Sequence, residues 1–443
     1  MKITKVVQVP DDPPIEQPTE EVDDTSRIII ASGKNVSLRV RDGQLRIEDG
    51  NHRTRNRHVR ILNRATTQAK RILVLGHGGM ISLPVLGWCE KVGIHLVILN
   101  QGSGNPIIQT QSSSMVDSRL RRAQALAPFD TEEGLTVTRL LQGMKLAGQR
   151  DNLIRLGYDV PGIDDLCDRA THGESLEEVL QAEMVLAKIY FDCLAVLRVP
   201  VAAKRQSSIP QHWLTFGPRL NPKTNSPRAA TTPANSILNF CYALAEIETV
   251  IALHSVGLDP WLGIVHVDTQ TKHSRHSMAL DCIEAIRPDV DAYVLDLLAA
   301  GFHRDDFTEG ETGVVYLSHS LRSELAGTMP LWAEKIAPVA EQVADALRPA
   351  DMLGRKVKRT PLTKAGYRWR TSGGQRRLAS AVISPERRRQ QWEPLYLKVK
   401  GADTRTLMDA TGWTRGYINQ IKRGTRIPDQ RHWPTIRKAL GLE

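Results

Sequence analysis

Cysteine is scarce and scattered in this 443-residue chain. The five residues Cys89, Cys167, Cys193, Cys241 and Cys282 form no C-x-x-C pair. Four of them lie in apolar or helical stretches, which points to reduced core thiols and away from zinc ribbons or a disulfide scaffold. No apolar run reaches the roughly eighteen residues of a membrane span, and the first residues lack the apolar core of a signal peptide. No membrane association and a cytoplasmic location are therefore expected. No internal repeat is evident. A Gly-rich turn, Gly76-His77-Gly78-Gly79, follows an apolar run, but it lacks the G-x-G-x-x-G spacing and the lysine of a phosphate-binding loop. A tight turn accounts for it.

What the chain does have is basic charge, unevenly placed. The formal net charge is +10 and the pI about 9.4. Residues 355–389 carry twelve Lys or Arg against one acid, Glu386. That local surplus exceeds the charge of the whole chain, so the remainder is close to neutral. A basic block beside folded modules most often touches phosphate, although a solvated linker has the same composition.

The length exceeds one ordinary core and implies two or three domains. Residues 10–24 hold four prolines and seven acids, a composition that predicts disorder over 1–26. From Arg27 the pattern becomes that of short strands: Ile28–Ile30, Val36–Arg41, Gln44–Glu48, Ile72–Leu75 and His95–Leu99. Asp42-Gly43 reads as a hairpin turn, and a helix is predicted from about Ser82 to Val92. From Ser118 onward the periodicity is helical for over two hundred residues, interrupted by a polar, cation-rich loop at 203–230. The expected organisation is a β-rich domain over 27–110, a helical domain over 111–350, a basic linker over 351–396 and a compact unit over 397–443.

The informative stretch is 235–288. It contains a long apolar helix that stops at Gly257-Leu-Asp-Pro260, then His266, Asp281 and Glu284. Asp281 and Glu284 are three apart and project from one side of a helix. Upstream, Ser175 and Glu178 form a capping box. The helix they open carries Glu183 within a stripe of Leu176, Val179, Leu180, Ala187, Tyr190 and Leu194. A carboxylate on an apolar stripe costs several kcal/mol unless it is paired or bound to metal. Each signal has an ordinary reading too: a buried Glu–Arg bridge, a solvated D-x-x-E pair, a satisfied core histidine. Glu246 and Glu248 read as structural or solvated.

Taken in order, these elements resemble the signature of the CRISPR-associated protein 1 family, the integrases that insert new spacers into CRISPR arrays. The resemblance rests on Ala182-Glu183 followed by Ala187, Tyr190 and Phe191, and on Asn235-Ser-Ile-Leu-Asn239 with Tyr242. It continues through Gly257–Pro260, then Gly263-Ile-Val-His266, and ends with a D-x-x-E-x-x-R-P element from Asp281 to Pro288. It spans roughly residues 27–345. Met184 departs from the glycine that usually follows the glutamate.

The resemblance implies an α+β protein with a small β-rich N-terminal domain, an all-helical catalytic domain and metal-dependent DNA chemistry. Glu183, His266 and Asp281 would hold the metal and Glu284 would serve as an auxiliary acid. Oxygen ligands suit Mg²⁺ or Mn²⁺, and the imidazole favours Mn²⁺. A DNA 3′-hydroxyl would attack a target phosphodiester, or water would cut it. Double-stranded donor and target DNA, a homodimer or larger assembly, and the small ferredoxin-like partner of CRISPR adaptation are the implied partners. A casposase, a transposon integrase on the same core, is the rival reading. A catalytically inactive DNA-binding regulator is the other.

The C-terminal segment reads as helix, turn, helix around Ala410-Thr-Gly412, with a further helix from about Asp429 to Leu440. It resembles the phage-repressor type of helix-turn-helix. Arg415, Asn419 and Gln420 are suited to base edges, and Lys422, Arg423, Arg387, Arg388 and Arg389 to phosphates. A protein-docking hairpin would show the same pattern.

Overall fold

The structure is a computed structural model. It describes residues 27–51, 56–76, 78–100, 106–110, 118–128, 131–201, 209–266, 276–348, 385–411, 415–424, 428 and 433–442. The acidic lead-in and most of the basic segment lie outside the described residues. The chain divides into two compact units, one made of residues 1–101 and 107–110, the other of the rest.

The first unit is a mixed sheet. Its elements are β1 (Ile28–Gly33), β2 (Val36–Arg41), β3 (Gln44–Asn51), β4 (Asn56–Leu62), β5 (Arg71–Gly76), β6 (Gly79–Ile81), α1 (Leu83–Val92), β7 (His95–Leu99) and β8 (Pro106–Gln109). The order across the sheet is β6-β2-β3-β1-β5-β7-β8, with β4 also paired to β3. Asp42 and Gly43 both adopt positive φ, 49° and 77°, and close the β2–β3 hairpin with Arg41 opposite Gln44. This is the turn chemistry a two-residue hairpin needs. β5 runs parallel to both β1 and β7, and a strand covered on both faces is largely apolar, here Ile72–Leu75 after the buried Arg71. Residues 71–75 are accordingly all buried. Trp88 of α1 anchors the helix on the sheet and donates its Nε1–H to the Gly43 carbonyl at 2.8 Å.

The Gly-rich turn is explained by packing. A Cβ on Gly79 would sit 1.9 Å from the Val36 carbonyl oxygen, where β6 pairs with β2. Only a bare Cα allows that approach.

The second unit contains α2 (Ser118–Leu126), α3 (Glu132–Arg155), α4 (Ile163–His172), α5 (Leu176–Ala195), α6 (Pro233–Val256), α7 (Ser277–Glu284), α8 (Arg287–Ala299), β9 (Phe307–Glu309), β10 (Val315–Leu317), α9 (His319–Ala326) and α10 (Met329–Ala346). α6 is the centre. Thr232 caps its start by accepting from the Asn235 amide, Pro233 occupies the first turn, and Gly257 ends it in the left-handed conformation. Among the described residues it alone is long and apolar enough to cross a membrane, and 89% of its apolar window is buried inside the protein. It packs against α7, α8 and α10.

This unit is not wholly helical. β9 and β10 form a two-stranded antiparallel hairpin whose Phe307 packs edge-on against Trp213. The Val315 carbonyl accepts from Ser236 Oγ of α6 at 2.8 Å. Strands of three residues are too short to declare a period in the sequence.

Near the C-terminus, α11 (Pro385–Gly401), α12 (Thr404–Thr411), α13 (Arg415–Lys422) and α14 (Trp433–Ala439) surround their own core of Trp392, Leu395, Val399, Leu407, Ile418, Ile421, Trp433 and Ile436. The boundary expected at 396/397 falls inside α11, because Trp392 and Leu395 belong to this core.

The close approach at Gly79 generates a stability prediction. Gly79→Ala should lower unfolding stability by about 2–3 kcal/mol, since overpacking against backbone cannot be relieved by a rotamer. Chemical denaturation followed by circular dichroism measures it, and an unchanged midpoint would contradict the packing.

Candidate active site

The segment after α6 is held in place before it reaches any charged group. Gln124 of α2 donates to the carbonyls of Asp259 and Leu262 at 2.7 and 2.8 Å and accepts from the Asp259 amide at 2.9 Å. The Pro260 carbonyl accepts from the Met278 amide at the start of α7. Between these anchors the chain turns tightly at Gly263, where a Cβ would meet the His266 carbonyl oxygen at 2.4 Å.

The turn makes a cradle for a carboxylate. Asp281 Oδ2 accepts the Ile264 and Val265 amides at 2.6 and 3.0 Å. Its Oδ1 accepts the His266 amide at 3.0 Å and lies 2.6 Å from His266 Nδ1. The Asp281 side chain is fully buried, while the imidazole is 36% exposed. A carboxylate on Nδ1 fixes the proton there and leaves the Nε2 lone pair for an electrophile.

Glu284, one turn further along α7, has different company. Its Oε1 lies 2.6 Å from Arg287 Nη1, and its Oε2 lies 2.7 Å from Lys145 Nζ of α3. The same Lys145 ammonium donates to Glu183 Oε1 of α5. Burial pushes the Glu284 carboxyl up, but Arg287 and Lys145, with His266 nearby, more than offset it and hold the group below the usual carboxylate range. Glu183 is thus a bridged residue of the kind its apolar stripe allowed, with lysine in place of arginine. Met184 beside it is 65% exposed, so the departure from glycine leaves the helix interior undisturbed.

Beneath these groups lies a buried polar network. Asp291 of α8 accepts from Tyr242 at 2.5 Å and from Tyr190 at 2.9 Å. Asn152 of α3 donates to the Tyr190 hydroxyl and to the Pro288 carbonyl. Arg219 lies over the rings of Phe191 and Tyr242 and donates to Asn239 Oδ1 at 2.7 Å and Asn235 Oδ1 at 3.2 Å. Arg287 also lies over the Tyr242 ring. Tyr190, Phe191, Tyr242 and the two asparagines of the sequence pattern are therefore one structural set. Glu246 is half-buried, and burial raises its carboxyl, opposed by Arg228 and Arg287; Glu248 is buried.

Lys145, Arg219 and Asp291 went unrecognised in the sequence. A signal existed for the first: Gln142, Lys145, Gln149 and Asn152 recur at helical spacing and are all buried on α3. Nothing around Asp291 marks it out, because an acid early in a helix is ordinary.

Among the described residues, no three His, Cys, Asp or Glu side chains are gathered closely enough to hold a metal. The donor types nonetheless fit one. Glu183 and Glu284 already converge on a single positive centre, the Lys145 ammonium, and His266, near enough to Glu284 to act on its carboxyl, has its Nε2 without a partner among the described residues. The cysteines have no part in it. Burial pushes the Cys89 thiol up to about 11, and Cys241 and Cys282 are also buried and raised.

In the C-terminal unit, Arg415 and Arg423 are exposed and Asn419 half-buried. Lys422, expected on phosphates, donates to the Ala402 carbonyl at 2.7 Å and lies 3.3 Å from Thr404 Oγ1. The side chains of Gln420, Arg387, Arg388 and Arg389 lie outside the described residues.

Residues 29–329 match the family model described as CRISPR associated protein Cas1. The chain belongs to this family. It is 31% identical over 194 residues to the CRISPR-associated endonuclease Cas1 4 of Methanospirillum hungatei, covering 43% of this chain and 49% of that relative. It is 30% identical over 255 residues to the CRISPR-associated endonuclease Cas1 1 of Chlorobaculum tepidum, covering 54% and 69%. Among solved structures, a casposase bound to integration product aligns over 78% of this chain and all of that one, with TM-score 0.59 and 19% identity. A Cas1 protein from Thermotoga maritima aligns over 71% of this chain and 96% of that one, with TM-score 0.54 and 15% identity. These two likenesses are of fold.

The Asp291 network yields a pH prediction. Burial raises its carboxyl to about 6, although Tyr242, Tyr190, Arg219 and Arg287 face it and favour the charged form. A raised acid binds its proton in the folded chain before the unfolded one, so its contribution is fully present below the ordinary Asp value and is lost as pH rises through 6. Relative to Asp291→Asn, the parent should gain up to about 3 kcal/mol between pH 7 and pH 4. Paired melting curves across that range test it, and a constant difference in Tm would contradict it.

Proposed function

We propose that this chain is a divalent-metal-dependent DNA integrase and endonuclease, acting in the insertion of new spacers into CRISPR arrays. Family membership and the Cas1 endonuclease names of its sequence relatives support the reading. The observation that carries it is the convergence of Glu183 and Glu284 on one cation position next to an imidazole whose tautomer Asp281 fixes.

In this reading Glu183, Glu284 and the Nε2 of His266 hold Mg²⁺ or Mn²⁺. Asp281 orients His266 through the Ile264–His266 amides, so the roles first expected for Asp281 and Glu284 are exchanged. When bound, the metal supplies activation of a DNA 3′-hydroxyl, or of water, and neutralises charge on the attacked phosphodiester. The protein's own groups do the rest. Asp281 keeps the imidazole in the required tautomer, Arg287 fixes the Glu284 carboxylate from the side away from Lys145, and the Tyr190–Asp291–Tyr242 network fixes α5, α6 and α8 relative to one another.

Double-stranded DNA is the proposed substrate. Two sites are needed to insert both ends of a donor, so a dimer or larger assembly is expected. A fold relative titled as a Cas6-RT-Cas1–Cas2 complex, with TM-score 0.55 and 16% identity, makes a small adaptation partner a reasonable companion. The casposase and inactive-regulator readings are not favoured, because the sequence relatives carry endonuclease names and the chain retains Glu183, His266, Asp281 and Glu284. The C-terminal unit is proposed to touch DNA through Arg415, Asn419, Gln420 and Arg423, with Arg387, Arg388 and Arg389 on phosphates.

Glu183→Ala, Glu284→Ala and His266→Ala should each abolish metal-dependent joining of a 3′-hydroxyl oligonucleotide to a plasmid, as should EDTA. Asp281→Asn should cost about 10–100-fold, as expected for a residue that positions a ligand. If Glu284→Ala joins DNA as well as the parent, the exchange of roles is wrong.

For the C-terminal arginines, neutralising Arg387, Arg388 and Arg389 together should flatten the log–log salt dependence of duplex binding by about 0.9 for each phosphate no longer neutralised. Asn419→Ala with Gln420→Ala should leave that slope alone and relax target choice. An unchanged slope in the first variant would remove the phosphate role.

A further inference from the structure

We propose that Lys145 is a resident counter-ion that occupies the cation position between Glu183 and Glu284 and must leave it before a divalent metal can bind. The inference rests on the metal reading above and adds to it a residue that opposes the metal.

The Lys145 side chain is 7% exposed, and its ammonium bridges Glu183, 23% exposed, to Glu284, 5% exposed. Glu284 has a second cation, Arg287 on its other oxygen at 2.6 Å. That guanidinium also lies over the Tyr242 ring, so it is held from two sides. Lys145 has the two carboxylates themselves as its partners, and its compact ammonium stands at the end of a flexible four-carbon stem from α3. The two carboxylates would otherwise face each other across a gap little exposed to water, which is unfavourable for like charges. The ammonium keeps them together when metal is absent. A divalent ion bound by the same oxygens would sit within a few ångströms of that ammonium, and the two cations would repel. Metal binding therefore requires the population in which Lys145 has swung away.

A binding-competent state that is a minor population weakens the apparent affinity by that fraction. Lys145→Met removes the competing charge and keeps the apolar stem, and Lys145→Arg keeps a charge. After EDTA treatment and dialysis, calorimetric titration of the full-length chain with MnCl₂ should show Lys145→Met binding at least about tenfold more tightly than the parent, as a competent fraction of a tenth or less requires. Lys145→Arg should bind no more tightly than the parent. In EDTA the Lys145→Met variant should melt below the parent, and MnCl₂ should raise its Tm by more than it raises the parent's. A role for Lys145 in packing alone would lower Tm without tightening metal binding. If the parent binds Mn²⁺ and Lys145→Met binds it equally or more weakly, the competition is overturned and the metal reading stands. If neither binds, both fall. A variant that folds only with MnCl₂ supports the competition as tighter binding does, and one that folds in neither condition overturns the inference.

Discussion

Glu284 sits almost out of reach of water on α7, with Arg287 on one oxygen and Lys145 on the other. A buried carboxylate without such partners would neutralise or be expelled, so this placement constrains everything around it. α3 has to bring Lys145 to α7, and α5 has to bring Glu183 to the same ammonium. The helices cannot slide without separating charges in a low-dielectric interior. The polar network of Asn152, Tyr190, Tyr242 and Asp291 ties the same helices together a layer below. Fully satisfied polar networks of this kind fix one packing arrangement at high cost for any alternative.

Asp281 and Glu284 are neighbours on one helix face, yet the local backbone separates their chemistry. The Gly263–His266 turn encloses Asp281 with three amides and an imidazole, leaving it fully engaged. Among the described residues Glu284 is paired with side-chain cations, Lys145 and Arg287, which a metal can replace or adjoin. The difference arises from a glycine: at Gly263 the turn closes tightly enough to aim consecutive amides at one carboxylate. A short-range backbone constraint thus gives two equivalent-looking acids different partners, and the proposed roles rest on that difference.

Much of this was legible in the sequence. The Asp42-Gly43 hairpin, the Ser175 and Gly257 helix ends and the apolar run of α6 are set by local rules, and each lies where those rules place it. Glu183, His266, Asp281 and Glu284 could be singled out from spacing and resemblance. The partners on which their proposed roles rest could not, because these are backbone amides and Lys145, which lies 38 residues before Glu183 on a helix without a clean apolar stripe. The β9–β10 hairpin was hidden by strands too short to show a period. Lys422 reads as a phosphate contact by charge, and its ammonium also donates to the Ala402 carbonyl, a contact that composition cannot reveal.

A crystal structure grown with MnCl₂ and read by anomalous scattering tests the central claim most directly. The account predicts one manganese peak bound by Glu183, Glu284 and His266 Nε2, with Asp281 still enclosed by the Ile264–His266 amides and the Lys145 ammonium displaced from the carboxylates. Manganese coordinated by Asp281 with Lys145 still bridging Glu183 to Glu284 would contradict it.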